Sequence, residues 1–85
     1  MAAEFHLDIV TPEKNVFSGN VVSVTAPGSA GTFQVLADHA PFLSSLVAGE
    51  ARIDFADKSQ RTYKISGGFF EVNANRAMLL VESAS

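Results

Sequence analysis

The sequence predicts an all-β domain of about eight to ten short strands. Three observations carry that prediction. Apolar and polar residues alternate with period two in several stretches, the mark of strands buried on one face. Turn formers (Thr-Pro-Glu-Lys-Asn, Ser-Gly-Asn, Asp-Lys-Ser-Gln, Asn-Ala-Asn) recur along the chain, at the eight- to twelve-residue spacing of a sandwich or small barrel. No segment of more than about ten residues shows a helical period.

In order, Glu4 to Val10 alternates, with Phe5, Leu7 and Ile9 on one side and Glu4, His6 and Asp8 on the other. Thr11 to Asn15 is a turn, Val16-Phe17 returns to apolar, and Ser18-Gly19-Asn20 is expected to break the chain again. Val21 to Ala26 is β-branched and alternating. The stretch Pro27 to Pro41 holds two of the three prolines and two of the six glycines. It reads as a turn, a short strand around Phe33 and Val35, and a stiff loop. Gly28 and Gly31 are expected to supply positive φ at the turn, and Pro41 holds Ala40 extended. A stiff loop on a small domain is a natural contact element.

Phe42 to Val47 is a short apolar run ended by Gly49. Ala51, Ile53 and Phe55 alternate with Arg52 and Asp54, and the loop Asp57 to Gln60 leads to a return strand with Tyr63 and Ile65 inside. Gly67-Gly68 permits a bend or a close backbone approach. Phe69 to Val72 and Ala77 to Val81 are the last strands, joined by Asn73-Ala74-Asn75, whose residues tolerate the left-handed region. The final strand is apolar on both faces, so it needs cover from a central place in the sheet or from a partner.

Eighty-five residues make one domain with 47% apolar residues, enough for a core without staples. Cysteine is absent, which excludes disulfides, iron–sulfur clusters and cysteine-based zinc sites. Six basic residues are scattered in a chain of net charge −3, which argues against a nucleic-acid surface. The N-terminus lacks the basic and apolar regions of a secretory signal. No apolar window approaches the ~20 residues of a membrane helix. The expectation is a cytosolic domain, able to dock on a membrane complex without inserting.

Motifs for chemistry are thin. Phosphate-cradling glycine loops and H-E-x-x-H are missing, and His6 and His39 lie far apart with no further metal ligands placed beside them. The acidic residues Asp8, Glu13, Glu50, Asp54, Asp57, Glu71 and Glu82 are spread out and form no acid–base pair. No catalytic, cofactor or metal residue is assigned. Asp38-His39 with Ser44 leaves a small hydrolase open as one reading, and a β-sandwich adaptor or ligand-binding module as another. His39 is either a loop residue bonded to nearby backbone or a contact residue at a loop tip.

Three ordered motifs go further. F-x-L-x-I-V-T-P-E-K-x-x-F-S-G (Phe5 to Gly19), P-G-x-x-G-x-F-x-V-L-x-x-H-A-P (Pro27 to Pro41) and I-S-G-G-F-x-E-V (Ile65 to Val72) resemble the epsilon subunit of F-type ATP synthases across nearly the whole chain. The resemblance implies a flattened β-sandwich of two five-stranded sheets. It also implies a non-catalytic rotor part without cofactor, in the central stalk between the gamma subunit and the membrane c ring, peripheral to the cytoplasmic face of a bacterial inner membrane. It assigns c-ring contact to Gly31, Thr32, Phe33, Gln34, Asp38 and His39. It assigns gamma contact to Thr11, Phe42, Leu43, Leu46, Met78, Leu80 and Glu82. Two departures stand out: many family members have Gly where this chain has Gln34, and Pro where it has Ala37. Family members also usually continue into a C-terminal helical hairpin that carries inhibition and, in some, ATP binding. This sequence ends at Ser85, so neither property carries over.

Overall fold

A computed structural model describes residues 3–85. Its nine strands are β1 (Phe5–Val10), β2 (Asn15–Val21), β3 (Ser23–Gly28), β4 (Gly31–Leu36), β5 (Phe42–Leu46), β6 (Gly49–Asp54), β7 (Gln60–Ile65), β8 (Gly68–Asn73) and β9 (Arg76–Val81). The described residues contain no helix. The ladder runs β2-β1-β9-β8-β5-β3-β6-β7, with β4 on the side of β3. Its weakest joint is between β5 and β3, which share the single pair Gly28↔Leu46. On one side of that joint lies a five-stranded sheet, β2-β1-β9-β8-β5. On the other lies a four-stranded sheet, β4-β3-β6-β7.

A tenth strand was expected, and its place is taken by a shorter segment. Ala84 bridges Ile65. The Ser85 N–H donates to the Lys64 carbonyl (3.0 Å), and the Lys64 N–H donates to Ser85 O (2.8 Å). Residues 83–85 therefore line the outer edge of β7. The two sheets face each other with Leu7, Ile9, Phe70, Leu79 and Val81 from the first meeting Val24, Val35, Ala51 and Ile53 from the second. Period-two alternation places them there, since β1 reads buried and half-buried in strict succession. Aromatic rings bridge the layers. Phe33 lies 5.1 Å from Phe70 and Phe17 lies 5.8 Å from Phe55, centre to centre, within the favourable range for ring pairs. At the open side Arg61 covers the core, 5.7 Å from the ring centres of both Phe17 and Phe55.

Three local expectations change. Ser18-Gly19-Asn20 does not break the chain, because Gly19 pairs with Leu7 inside β2. Glycine is placed there because the Phe17 ring lies over it, 3.3 Å from where a Cβ would stand. The corner instead falls at Val22, whose N–H donates to the Asp54 carbonyl. Of the two turn glycines, only Gly31 has positive φ (131°). Gly28 is needed for space, since a Cβ would lie 2.7 Å from the Gly31 carbonyl oxygen and 3.0 Å from the Phe33 ring. The doubly apolar last strand is central in the ladder, between β1 and β8, yet one of its faces stays open: Leu80 is 46% exposed.

Candidate interaction surface

Directly paired residues in neighbouring strands point to the same face of a sheet. The outer face of the five-stranded sheet is therefore read off its register. One row runs Leu43, Glu71, Met78, Asp8, Ser18, and the next runs Ser45, Phe69, Leu80, Val10. Leu43, Phe69 and Leu80 are 69%, 56% and 46% exposed, and Met78 and Val10 are half-buried. This apolar patch crosses four strands, β5, β8, β9 and β1. A groove of about 370 Å³ adjoins it, lined by Thr11, Pro12, Gly68, Phe69, Leu80 and Glu82 among others. The outer face of the four-stranded sheet is different. Its rows carry Gln34, Thr25, Arg52 and Thr62, then Leu36, Ser23, Asp54 and Gln60. One broad face carries this apolar patch and the other is polar apart from Leu36, and contiguous exposed apolar surface marks a protein contact.

The candidate gamma-contact residues divide between the two sides of the sheet. Thr11, Leu43, Met78, Leu80 and Glu82 lie on the patch or its groove. Leu46 does not, being 6% exposed and part of the core. Phe42 is half-buried and faces inwards, 5.1 Å from Phe33 and 6.3 Å from Phe70. Period two decides this, because Leu43 points out and its neighbours on either side point in. Phe69 and Val10 are surface members that sequence reasoning missed. The alternation in Phe69-Phe70-Glu71-Val72 carried the signal, since placing Phe70 and Val72 inside leaves Phe69 outside.

The candidate c-ring residues do not form one surface. Gly31 and Thr32 sit at the β3–β4 turn, where the Ser29 N–H donates to the Ser45 carbonyl (3.0 Å). Asp38 and His39 sit beyond the other end of β4, about 20 Å of extended chain away. Gln34 faces outwards from the middle of β4, and Phe33 packs inwards between Phe42 and Phe70.

Around His39 the geometry is definite. Its Nδ1 donates to the Ala40 carbonyl (2.7 Å), because a carbonyl oxygen can only accept. In the neutral ring Nε2 then carries the free lone pair. The ring meets Phe42 edge-on at 5.7 Å. Ser44 donates to its neighbour's carbonyl at Ser45 (2.9 Å). Ser44 and His39 are thus each turned to local backbone, and the hydrolase pairing is not made. His6, Asp8 and Ser18 cluster on β1 and β2, but Asp8 (3.1 Å) and Ser18 (3.3 Å) both meet the same ring nitrogen, Nε2. A proton relay needs opposite nitrogens, so this cluster is a local hydrogen-bonded contact between β1 and β2.

The Ser18 hydroxyl is the largest influence lowering the Asp8 carboxyl below its ordinary value of 3.8. Burial opposes it, and His6 and Arg76 add to it. A carboxyl lowered in the folded state contributes stability that is complete above its unfolded value, near 4, and is lost as pH falls through the folded value. Ser18→Ala is therefore expected to lower the melting temperature at about pH 7, with the gap to the parent closing as pH falls below about 4. Thermal melts across that range check this. A gap that does not change with pH would show that Ser18 acts by packing alone.

Comparison with known proteins agrees with the fold and the motifs. The family model of the ATP synthase delta/epsilon chain, β-sandwich domain, matches residues 4–85. The ATP synthase epsilon chain of Chlorobium limicola is 53% identical over 81 residues, covering 95% of this chain and 92% of that one. That of Maricaulis maris is 44% identical over 84 residues, with 99% of this chain matching 62% of a longer protein. Among solved structures, a chain of the Euglena gracilis mitochondrial ATP synthase superposes with a TM-score of 0.93 at 23% identity, over 100% of this chain and 54% of its own length. A chain from the central stalk and c-ring structure of the Tetrahymena thermophila enzyme gives 0.81 at 19%, over 99% and 67%. From its motifs, its two packed sheets and these matches, the chain belongs to the family of ATP synthase delta/epsilon-chain β-sandwich domains.

Proposed function

We propose that this domain is a non-catalytic rotor component of an F-type ATP synthase, a collar that passes torque between the membrane c ring and the gamma subunit. The apolar patch Leu43–Phe69–Leu80, exposed on one broad face while the other is polar apart from Leu36, carries the proposal. In this reading the patch seats on gamma, with Thr11, Met78 and Glu82 around it. The opposite ends of β4 then serve two partners. The Gly31–Thr32 turn, small and uncharged, faces the c ring. The Asp38–His39 loop leads through Phe42 directly into Leu43, the most exposed member of the patch, and so extends the gamma face. The domain works by stiffness and fit. Strands cross-linked by backbone hydrogen bonds over one core resist shear, and docking needs no proton transfer. Its place is peripheral, on the cytoplasmic side of the membrane that holds the c ring.

The test is native mass spectrometry of the purified domain with its cognate gamma subunit. A one-to-one complex is expected, and Phe69→Ser and Leu43→Ser should each weaken it by about tenfold or more, as loss of a central apolar anchor does. No complex at tens of micromolar, or a complex indifferent to both substitutions, overturns the reading.

A further inference from the structure

Asp38 and Asn75 are 37 residues apart and joined by a reciprocal pair of hydrogen bonds. The Asp38 N–H donates to Asn75 Oδ1 at 2.6 Å, and Asn75 Nδ2 donates to Asp38 Oδ1 at 2.9 Å. The donor at Asp38 is a backbone amide, which fixes the orientation of the Asn75 side chain. Both residues hold left-handed backbone, with φ 63° at Asp38 and 61° at Asn75. Asn75 is itself anchored, since its carbonyl accepts the His6 N–H of β1 (3.0 Å) and it completes the two-residue turn between the paired Asn73 and Arg76. The next residue after Asp38 is His39, whose ring is exposed and held by Ala40 and Phe42. An exposed loop of five residues with no strand pairing of its own is tied at its start to the rigid end of the five-stranded sheet.

We propose that Asn75 is a positioning residue for partner binding. It latches the loop at residues 37–41 so that Nε2 of the exposed His39 ring, an acceptor in the neutral ring, meets a hydrogen-bond donor on the gamma subunit beside the Leu43 patch. The latch holds the loop in its bound shape beforehand and so removes an ordering cost from docking. This rests on the gamma-facing reading of the patch, but the ordering of the loop does not, and the experiment separates the two.

Asn75→Gly is the informative variant, because glycine accepts the positive φ and only the latch is lost. Asp38→Asn is the control, because an asparagine there still accepts from Asn75 Nδ2. In the free domain, amide hydrogen exchange at residues 38–40 is expected to rise by about tenfold in Asn75→Gly and to stay near the parent in Asp38→Asn, with similar melting curves for all three. Affinity for gamma should fall about 3–10-fold in Asn75→Gly and in His39→Ala. Combining Asn75→Gly with His39→Ala should cost little more than His39→Ala alone, because positioning is void once the ring is gone. Unchanged exchange in Asn75→Gly overturns the latch. Faster exchange with unchanged affinity overturns the positioning role. A parent domain that does not bind gamma at all overturns the gamma-facing reading, and exchange still decides the latch.

Discussion

Phe70→Ala should cost about 3–5 kcal/mol, the usual loss for a large aromatic removed from a closed core. Phe70 is 0% exposed and lies under both Phe33 and Phe42, with ring centres 5.1 and 6.3 Å away. It is the ring of the central β8 that fills the space between the sheets beside their single-pair joint. The site collapses poorly, because Phe33 and Phe42 are set by their own strands. A domain of 85 residues has roughly 4–13 kcal/mol of stability in all. The loss would lower the melting temperature by roughly 12–40 °C, at about 4–8 °C per kcal/mol for this size. Chemical denaturation followed by circular dichroism measures it. A loss below about 1 kcal/mol would mean that the neighbouring rings close the gap.

Gly68→Ala is the second large effect, and its cause is contact. A Cβ on Gly68 would stand 2.0 Å from the Leu80 carbonyl oxygen and 2.9 Å from the Val81 Cα. Both are backbone atoms of the adjoining strand, so no rotamer change relieves the clash and β8 must move off β9. A cost of about 2–4 kcal/mol is expected, in the upper range for overpacking, and Gly68→Val should cost more. The damage falls at the groove formed by Gly68, Phe69 and Leu80, so gamma binding should weaken even at temperatures where the variant stays folded. Calorimetry and the native complex assay together check both parts. A melting temperature within about 2 °C of the parent contradicts the clash.

Gly68 also shows where sequence reasoning reaches its limit. The pair Gly67-Gly68 marked a bend or a close approach. Which strand would do the approaching depends on register between residues far apart in the chain, and alternation within one strand does not encode it. For the same reason the turns and most buried positions were legible. Leu7, Ile53, Tyr63 and Val72 follow from period two, while the split of the Gly31 and Asp38 sets to opposite ends of β4 does not. Adjacency in sequence suggested a shared surface, and a six-residue strand separated the two. Leu46 was misread for a related reason. The run Phe42 to Val47 hides its alternation behind Ser44 and Ser45, so the inward Leu46 and the outward Leu43 look alike. The Asp38–Asn75 latch had no signal at all, since each residue alone reads as an ordinary loop residue.

The parallel pairing of β1 with β9 has a consequence for how the chain is made. Residues 6–10 find their partners at residues 76–80, so the middle of the five-stranded sheet stays open during synthesis until residues 76–80 have left the ribosome. Hairpins such as β6–β7 and β3–β4 form from near neighbours as they emerge, but β1 waits with its edge unpaired. Long-range pairing of this kind slows folding and leaves a strand open to wrong partners meanwhile. An abundance of free early fragments is thus a hazard for this topology, and a prompt arrival of β9 ends it.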